Sequence, residues 1–562
     1  MAVAAGPLAG GPAQAGSREC GIRKHWPAES SPAAGRGTPD IWNDSGPMRN
    51  PLNLRNRPLD TSYVATYVEI PFANENSFRR RARPVGPDFP SFEDAREHLL
   101  PVPHWPGHEP AIECYWRCWQ IVFQNFRRAT DDNGFVSDFA STMFNDCLYM
   151  WDSVFITLFG RYGDRAFKFQ HTLDNFYGKQ HPDGGICRQF REHNGSECYS
   201  RFDPAGSGPN VLGLAEYEYF LQFGDRKRVS QVFPALVAYG LWNRKYRTWP
   251  NGSYWGTGLS SGMDNQPRIP SAQTELEHAH RTWVDATLQA VLANKIVLTF
   301  ADMLGRRDEV QDFAEENAQL IAFINQSLWD ESTGFFHDLR RDQTRLTEVK
   351  TIGAYWALLA DVVPAERLAR FVSHLDQDSE FRRLHRIPSL SADTPGYDGD
   401  GGLWLGGVWA PTNYMVLRGL SERGFEDLAQ QIAENHYFNV IESFEKTEAV
   451  WEHHAPDKPS EGRGRSNFVG WTGITPIAVL FEYLFGLRFD ARRMRLTWKL
   501  NRIDELGVSR YPFGADGLAE LRVEARADAS QRPRVTVSAN QPLEIELVWA
   551  GGSELMRVGP VL

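Results

Sequence analysis

From Ile112 to Gly486 the sequence repeats one texture: stretches with apolar residues at helical spacing, broken by loops of Gly, Pro and Asp. Between them no run reads as a buried strand. The stretches are Cys114–Ala129, Met150–Phe159, Ala166–Tyr177, Val211–Phe223, Arg226–Tyr246, Ala286–Leu304, Arg307–Leu328, Gly353–Leu359, Pro364–His374, Thr412–Leu420, Gly424–Tyr437 and Pro476–Phe485. Helices joined by short connections pack as pairs, and about a dozen of them is the number that closes a double-layered toroid. A solenoid is the competing arrangement, but it carries a fixed sequence period, and none is visible. The expected fold is therefore mainly α, an (α/α)6 toroidal barrel over residues 111–487.

The texture changes on either side. Residues 1–35 are rich in Ala, Gly and Pro, lack the basic and apolar regions of a secretory signal, and are expected to be disordered. A cytoplasmic enzyme is the default expectation. Residues 36–110 read as an extension packing on the barrel, with a strand-like run at Tyr63–Ile70 and a short helix near Phe92–Leu99. Its basic run, Arg79, Arg80, Arg81 and Arg83, reads as a solvated loop. After Gly486, the segments Arg493–Leu500, Ala519–Glu524, Pro533–Ser538 and Leu543–Val548 alternate apolar and polar residues. They predict antiparallel strands in a small β-sandwich-like domain over residues 488–562.

Composition removes several function classes. A formal net charge of −11 argues against a nucleic-acid binder. Six Cys make no disulfide framework, Cys114 and Cys118 lack a second ligand pair for zinc, and no apolar run is long enough to span a bilayer. No cofactor and no metal is expected, although the Asp/Gly loop around Asp398 and Asp400 has a composition that a structural calcium could use. Oligomeric state is left open. The 18 Trp residues point another way, because an indole face suits the C–H groups of a sugar ring.

Chemistry concentrates in the loops. Gly256–Arg268 holds three glycines in seven residues, then Asp264 and, four residues later, Arg268. An Arg beside a carboxylate lowers its pKa, so an acid role for Asp264 requires Arg268 to be committed elsewhere, such as to a sugar hydroxyl. The second acidic segment runs through Trp451, Glu452, His453 and His454 to Glu461, and then to Gly470, Trp471 and Thr472. Adjacent histidines point to opposite sides of an extended chain, which argues against their sharing a metal. Met150-Trp151-Asp152, which opens a helix, and the loops His181–Arg188, Asp203–Asn210 and Gly401–Pro411 share this character. Each alone fits a structural turn; together they predict one polar, aromatic-walled pocket.

Trp151-Asp152, Ser261-Gly262-Met263-Asp264 with Arg268, Gly407–Pro411, and Glu452 followed by Gly470-Trp471-Thr472 together resemble glycoside hydrolase family 63 and the related trehalases. Within these the chain is most similar to the bacterial mannosylglycerate and glucosylglycerate hydrolases, over roughly residues 110–486. One departure is His453-His454, where trehalases carry Lys-Tyr. The resemblance implies an inverting, exo-acting α-glycosidase on an (α/α)6 barrel, with Asp264 as general acid and Glu452 as general base. It also implies sugar contacts from Trp151, Asp152, Arg188, Arg268, Trp404 and Trp409, and Trp471 joins them from its loop. Its partner would be a small carbohydrate substrate, with neither nucleic acid nor membrane involved.

Glycosidic hydrolysis needs an acid on the leaving oxygen and a carboxylate on the opposite face, and two acids from distant helices suit that geometry. Of the two glutamates in the second segment, Glu452 beside Trp451 is the better-held base. Glu461, in a Gly/Arg stretch where Arg463 and Arg465 would hold it charged, is expected in a loop that closes over the substrate. A lyase or epimerase on the same toroid would need a concentrated His/Arg loop, which is not seen. A non-catalytic sugar binder would be expected to lose one of the two acids.

Overall fold

The protein is described by a computed structural model at residues 70–83, 86–270 and 274–559. The N-terminal 35 residues and almost all of the Tyr63–Ile70 run lie outside the described residues.

Six helical elements pack in a circuit. Met150–Gly160 contacts Leu212–Phe223, then come Val284–Leu304, Trp356–Leu359, Ala410–Glu422 and Ile474–Leu484, and the last contacts the first. Outside them lie Glu109–Gln124, Arg226–Tyr246, Gln311–Phe323 and Glu426–Thr447, each against one or more members of the circuit. The sequences match these positions. Every residue of Met150–Gly160 and of Ile474–Leu484 is buried, as required of an element with neighbours on all sides. Gln311–Phe323 buries only Phe313, Asn317 and Leu320, one stripe at helical spacing. Val284–Leu304, with a mean hydropathy of 1.3, is long and apolar enough to cross a membrane by length and composition, contrary to the sequence reading. Its apolar window is 83% buried within the protein, the environment of a circuit helix.

Several predicted helices differ: Cys114–Ala129 is displaced to Glu109–Gln124, and Arg307–Leu328 is divided at Val310 and Phe323. Ala166–Tyr177 is a 3-10 segment, Phe169–Leu173, followed by the short helix Asp174–Gly178. Glu426–Thr447 runs ten residues past the predicted end at Tyr437, because Val440 and Ile441 continue the buried stripe.

The extension supplies the helix Phe92–His98 and a strand, Val102–His104. That strand joins the edge of a four-stranded antiparallel sheet with Leu506–Phe513, Gly517–Val523 and Val535–Ala539. The second sheet runs Gly552–Val558, Leu543–Trp549, Arg495–Leu500, Leu487–Asp490. Its central pair, Leu543–Trp549 with Arg495–Leu500, is parallel, which corrects the all-antiparallel expectation. One apolar core runs from the helices into both sheets, through Phe481, Tyr511, Leu496 and Ile545. The basic run is not simply solvated either. The guanidinium of Arg81 reaches fully buried Asp174 at 2.7 Å and lies over the Phe78 ring.

Candidate active site

A cavity of about 550 Å³ opens beside the circuit helices, and Trp151, Asp152, Arg188, Asp264, Trp404, Trp409, Glu452 and Trp471 all line it. Arg268 and Glu461 do not.

The Asp264 loop is built by local capping. Thr257 starts a one-turn helix, Gly258–Ser261, through a reciprocal capping box with Ser260. Gly262 ends it at φ +74°, and a Cβ there would meet the Trp151 indole at 2.9 Å, so glycine lets the acid loop lie flat on that ring. Asp264 follows. Its neighbour Asn265 donates to the Gly402 carbonyl at 3.1 Å and accepts from the Trp404 N–H at 2.9 Å. The acid and the Trp404 turn are thus tied by one side chain.

Arg268, expected on a sugar hydroxyl, is instead fully buried behind the loop. It makes paired hydrogen bonds to Asp285 (2.8 and 2.7 Å) and to Asp338 (2.7 Å each), with its guanidinium over Trp283. Satisfied by two carboxylates, it is a brace between the acid loop, the Val284–Leu304 helix and the Asp338 turn. The sequence condition that Arg268 be committed away from Asp264 is met, by a different partner.

The Glu452 segment is extended and clasped on both sides. Its backbone N–H donates to the Arg465 carbonyl at 2.9 Å, while the carboxylate Oε2 accepts from the Arg465 N–H at 3.2 Å. The Trp471 indole donates to the Glu452 carbonyl at 3.3 Å. Glu461 bridges to His454 through the backbone. Arg463 and Arg465 do not hold it: Arg463 pairs with Asp398 at 3.0 Å, and the Arg465 guanidinium lies 3.9 Å over the Phe144 ring. It is Arg463, Gly464 and Arg465 that face the cavity. Beside this segment, Trp404 and Trp409 stack at 4.0 Å and 7°, forming a flat aromatic wall.

The cavity also has a wall in which the sequence marks Arg188 but not its neighbours. Cys147–Tyr149 pairs with Gln189–Arg191, which places Tyr149, Arg188 and Gln189 side by side, and Gln189 donates to the Tyr149 hydroxyl at 3.1 Å. Arg188 donates through Nε to the Ala205 carbonyl and lies 4.6 Å over Tyr199, another lining residue. Tyr149 stands two residues before Trp151, the one hint the sequence offers.

Asp152 and Glu452 are buried, and Asp264 exposes its surface to the cavity while protein surrounds it on the other sides. Among the described residues none of the three forms an ion pair. Burial pushes the Asp152 carboxyl up to about 8, with the charges of Glu452 and Asp264 adding to the effect and Arg188 opposing it. Asp264 is pushed up to about 6, again by burial first, with Arg188 lowering it and Glu275 and Glu452 raising it. A substrate filling the cavity removes the remaining water and strengthens that trend. Burial also raises Glu452, against the Arg465 N–H. Three carboxyls near one cavity, at least one protonated near neutral pH, can donate a proton at one point and accept one at another. Among the described residues no cluster of three or more His, Cys, Asp or Glu is arranged to hold a metal, and Asp398 and Asp400 are engaged by Arg463 and Lys458.

Known proteins resemble the chain in sequence and in fold. A Borreliella burgdorferi protein of uncharacterized function is 22% identical over 359 residues, covering 62% of this chain and 73% of that one. The trehalase of Oryctolagus cuniculus is 23% identical (46% of this chain, 47% of that one), and alpha-glucosidase 2 of Arabidopsis thaliana is also 23% identical (40% and 34%). The chain therefore spans half or less of those two enzymes. In fold it is similar to the GH63 mannosylglycerate hydrolase from Thermus thermophilus solved with Tris and D-glycerate. That match has a TM-score of 0.52 at 18% identity and covers 64% of this chain and 98% of that one. A GH78 rhamnosidase of a Bacillus species gives a TM-score of 0.59 at 15% identity over 80% of this chain and 43% of that one. Residues 147–472, more than half of the chain and every residue of the cavity wall just described except Phe144 and Asn145, match the family described as the mannosylglycerate hydrolase MGH1-like glycoside hydrolase domain. The chain belongs to this glycoside hydrolase family.

Proposed function

We propose that this glycoside hydrolase is an inverting, exo-acting α-glycosidase on an (α/α)6 toroid, cleaving a small α-glucoside or α-mannoside such as a disaccharide or a glycosylglycerate. The toroid reading is supported by the closed circuit of six helical elements with further helices outside it. Asp264 is the general acid and Glu452 the general base. The observation that carries this reading is the contrast in how one cavity holds the two carboxyls. Asp264, pushed up to about 6, carries in a growing share of molecules, as pH falls through that value, the proton that goes to the leaving oxygen. Glu452 is fixed through Oε2 by a backbone N–H, which leaves the rest of the carboxylate to orient a water. Trp151, Trp404 and Trp471 supply faces for one sugar ring, Trp409 backs Trp404 from behind, and Asp152 and Arg188 give the hydroxyl contacts. A cavity of about 550 Å³ suits a small glycoside better than a polysaccharide chain.

The test is hydrolysis of a panel of α-glucosides and α-mannosides, with the first-formed anomer followed by NMR. A β-anomer released first is the expected result. An α-anomer released first from an α-linked substrate overturns inversion, and no hydrolysis of any α-linked glycoside overturns the substrate class.

A further inference from the structure

His453 follows Glu452 directly, yet its imidazole does not face the cavity. It is 1% exposed and fills a slot formed by two other loops. One face stacks on Trp409 at 4.2 Å and 20°, so that Trp404, Trp409 and His453 form three parallel layers. Its Nε2 lies 3.0 Å from the Gly401 carbonyl oxygen. A carbonyl only accepts, so Nε2 carries the hydrogen, and Nδ1 is a buried lone pair without a hydrogen-bond partner among the described residues. Around the ring edge the chain has glycine at 407, 462 and 464, and a Cβ at each would stand under 3.0 Å from an imidazole atom. Backbone from the 401–409 loop and from the 462–464 loop is therefore wrapped around this one ring. His454 turns the other way, with its ring 5.3 Å from His385.

We propose that His453, as a neutral imidazole, is a positioning residue that locks the Trp404–Trp409 platform to the base Glu452; this rests on the assignment of Glu452 as base. The platform fixes the sugar ring and Glu452 fixes the water, and the two stand on separate loops. Hydrolysis needs their spacing held to a fraction of an ångström. The imidazole makes both connections. Its face carries the platform, and its Nε2–H ties the Gly401 turn to the segment that holds Glu452. Burial pulls its pKa down to about 4, in keeping with the neutral form.

Two substitutions separate the connections. His453→Phe keeps a ring face and loses the donor. His453→Gln can place an N–H donor near the Nε2 position and loses the face. The probes are α-D-glucosyl fluoride and α-D-mannosyl fluoride, whose leaving group needs little help from an acid, so turnover reads the platform and the base more than Asp264. With kcat, KM and Tm measured separately, His453→Phe is expected to lose about tenfold or more in kcat with KM within about threefold. His453→Gln is expected to raise KM about tenfold or more with the smaller loss in kcat. Matching changes in the two variants, or none in either, overturn the proposal. If either variant fails to fold, Gly462→Ala takes its place, setting a methyl against the Cδ2–Nε2 edge of the ring away from Glu452 and the cavity; a fall in kcat at unchanged Tm supports the role, and any other result removes it. Glu452→Gln in the same assay distinguishes the two readings. An active Glu452→Gln enzyme overturns the base assignment. An inactive one beside unaffected His453 variants overturns only the positioning role.

Discussion

Asp264 and Asp285 both meet the Gly256–Arg268 loop, and the protein treats them in opposite ways. Asp285 and Asp338 are buried and fully engaged by Arg268, and the Val284 N–H also donates to Asp338. Deeper among the helices, Glu218 and Glu482 are held in the same manner by Arg161 at 2.9 and 2.6 Å. In these clusters each desolvated charge has a fixed counter-charge and directed hydrogen bonds, which offset the cost of leaving water. Among the described residues Asp152, Asp264 and Glu452 have no such partner, and the cost stays with them as raised pKa values. Burial alone therefore does not mark a functional site in this protein, since most of its buried acids are braces. Carboxyls of raised pKa without a counter-charge, two of them buried and Asp264 open to the same cavity, do.

Removing the proton chemistry while keeping the shape gives the largest effect and tests that contrast directly. Asp264→Asn and Glu452→Gln are each expected to lower turnover by about 10²–10⁴-fold or more without lowering Tm at neutral pH, because neither carboxylate is holding the fold together. A variant that retains more than about a tenth of the activity removes that residue from the mechanism. The brace should behave in the reverse way. Arg268→Met leaves Asp285 and Asp338 buried and uncompensated, which costs about 3–5 kcal/mol of stability in urea unfolding. A loss below about 1 kcal/mol would make Arg268 a bystander and the comparison empty.

The same contrast explains what the sequence can reveal. Apolar spacing discloses the circuit helices because they are long and buried on most sides. It overruns at Ala166–Tyr177, where the aromatic spacing of Phe169, Phe176 and Tyr177 imitates one continuous helix but serves a 3-10 segment and a separate short helix. Leu506–Phe513 escapes it because the register shifts between Val508 and Tyr511, where Arg510 adopts φ +59°, which breaks the alternation that marks a strand. In the site, Asp264, Trp404, Trp409, Glu452 and Trp471 are legible as aromatic or acidic residues in Gly-rich loops, where such side chains have few structural uses, and Trp151 and Asp152 as a pair of that kind opening a helix. Arg268 looks the same from its own loop. What makes it a brace is Asp285 and Asp338, 17 and 70 residues further along, a pairing that no local pattern encodes. Tyr149, Gln189 and Tyr199 reach the wall through short strand pairing, which sets side-chain direction by register rather than by residue type.

The smallest expected effect is the sharpest test of what sets the acid. For a substrate whose leaving group must be protonated, the alkaline limb of kcat/KM should fall near the Asp264 value of about 6, and it should be absent with α-glycosyl fluoride. Part of that value comes from the negative charge of Glu275, whose backbone and Cβ pack against Gly258 in the same loop while its surface is exposed. A nearby negative charge disfavours a second one, so removing it makes Asp264 easier to ionise. Glu275→Gln should therefore move the alkaline limb to lower pH, by about a few tenths of a unit given that the charge acts from the surface. At a pH above the limb the variant is then slower than the parent, with equal rates on the acid side. Because an exposed charge is screened while buried ones are screened much less, raising salt from about 0.05 to 0.5 M should shift the parent limb the same way and leave the variant nearly unmoved. A limb that moves upward in the variant, or that ignores salt in the parent, means that burial alone sets the acid and that the surface charge plays no part.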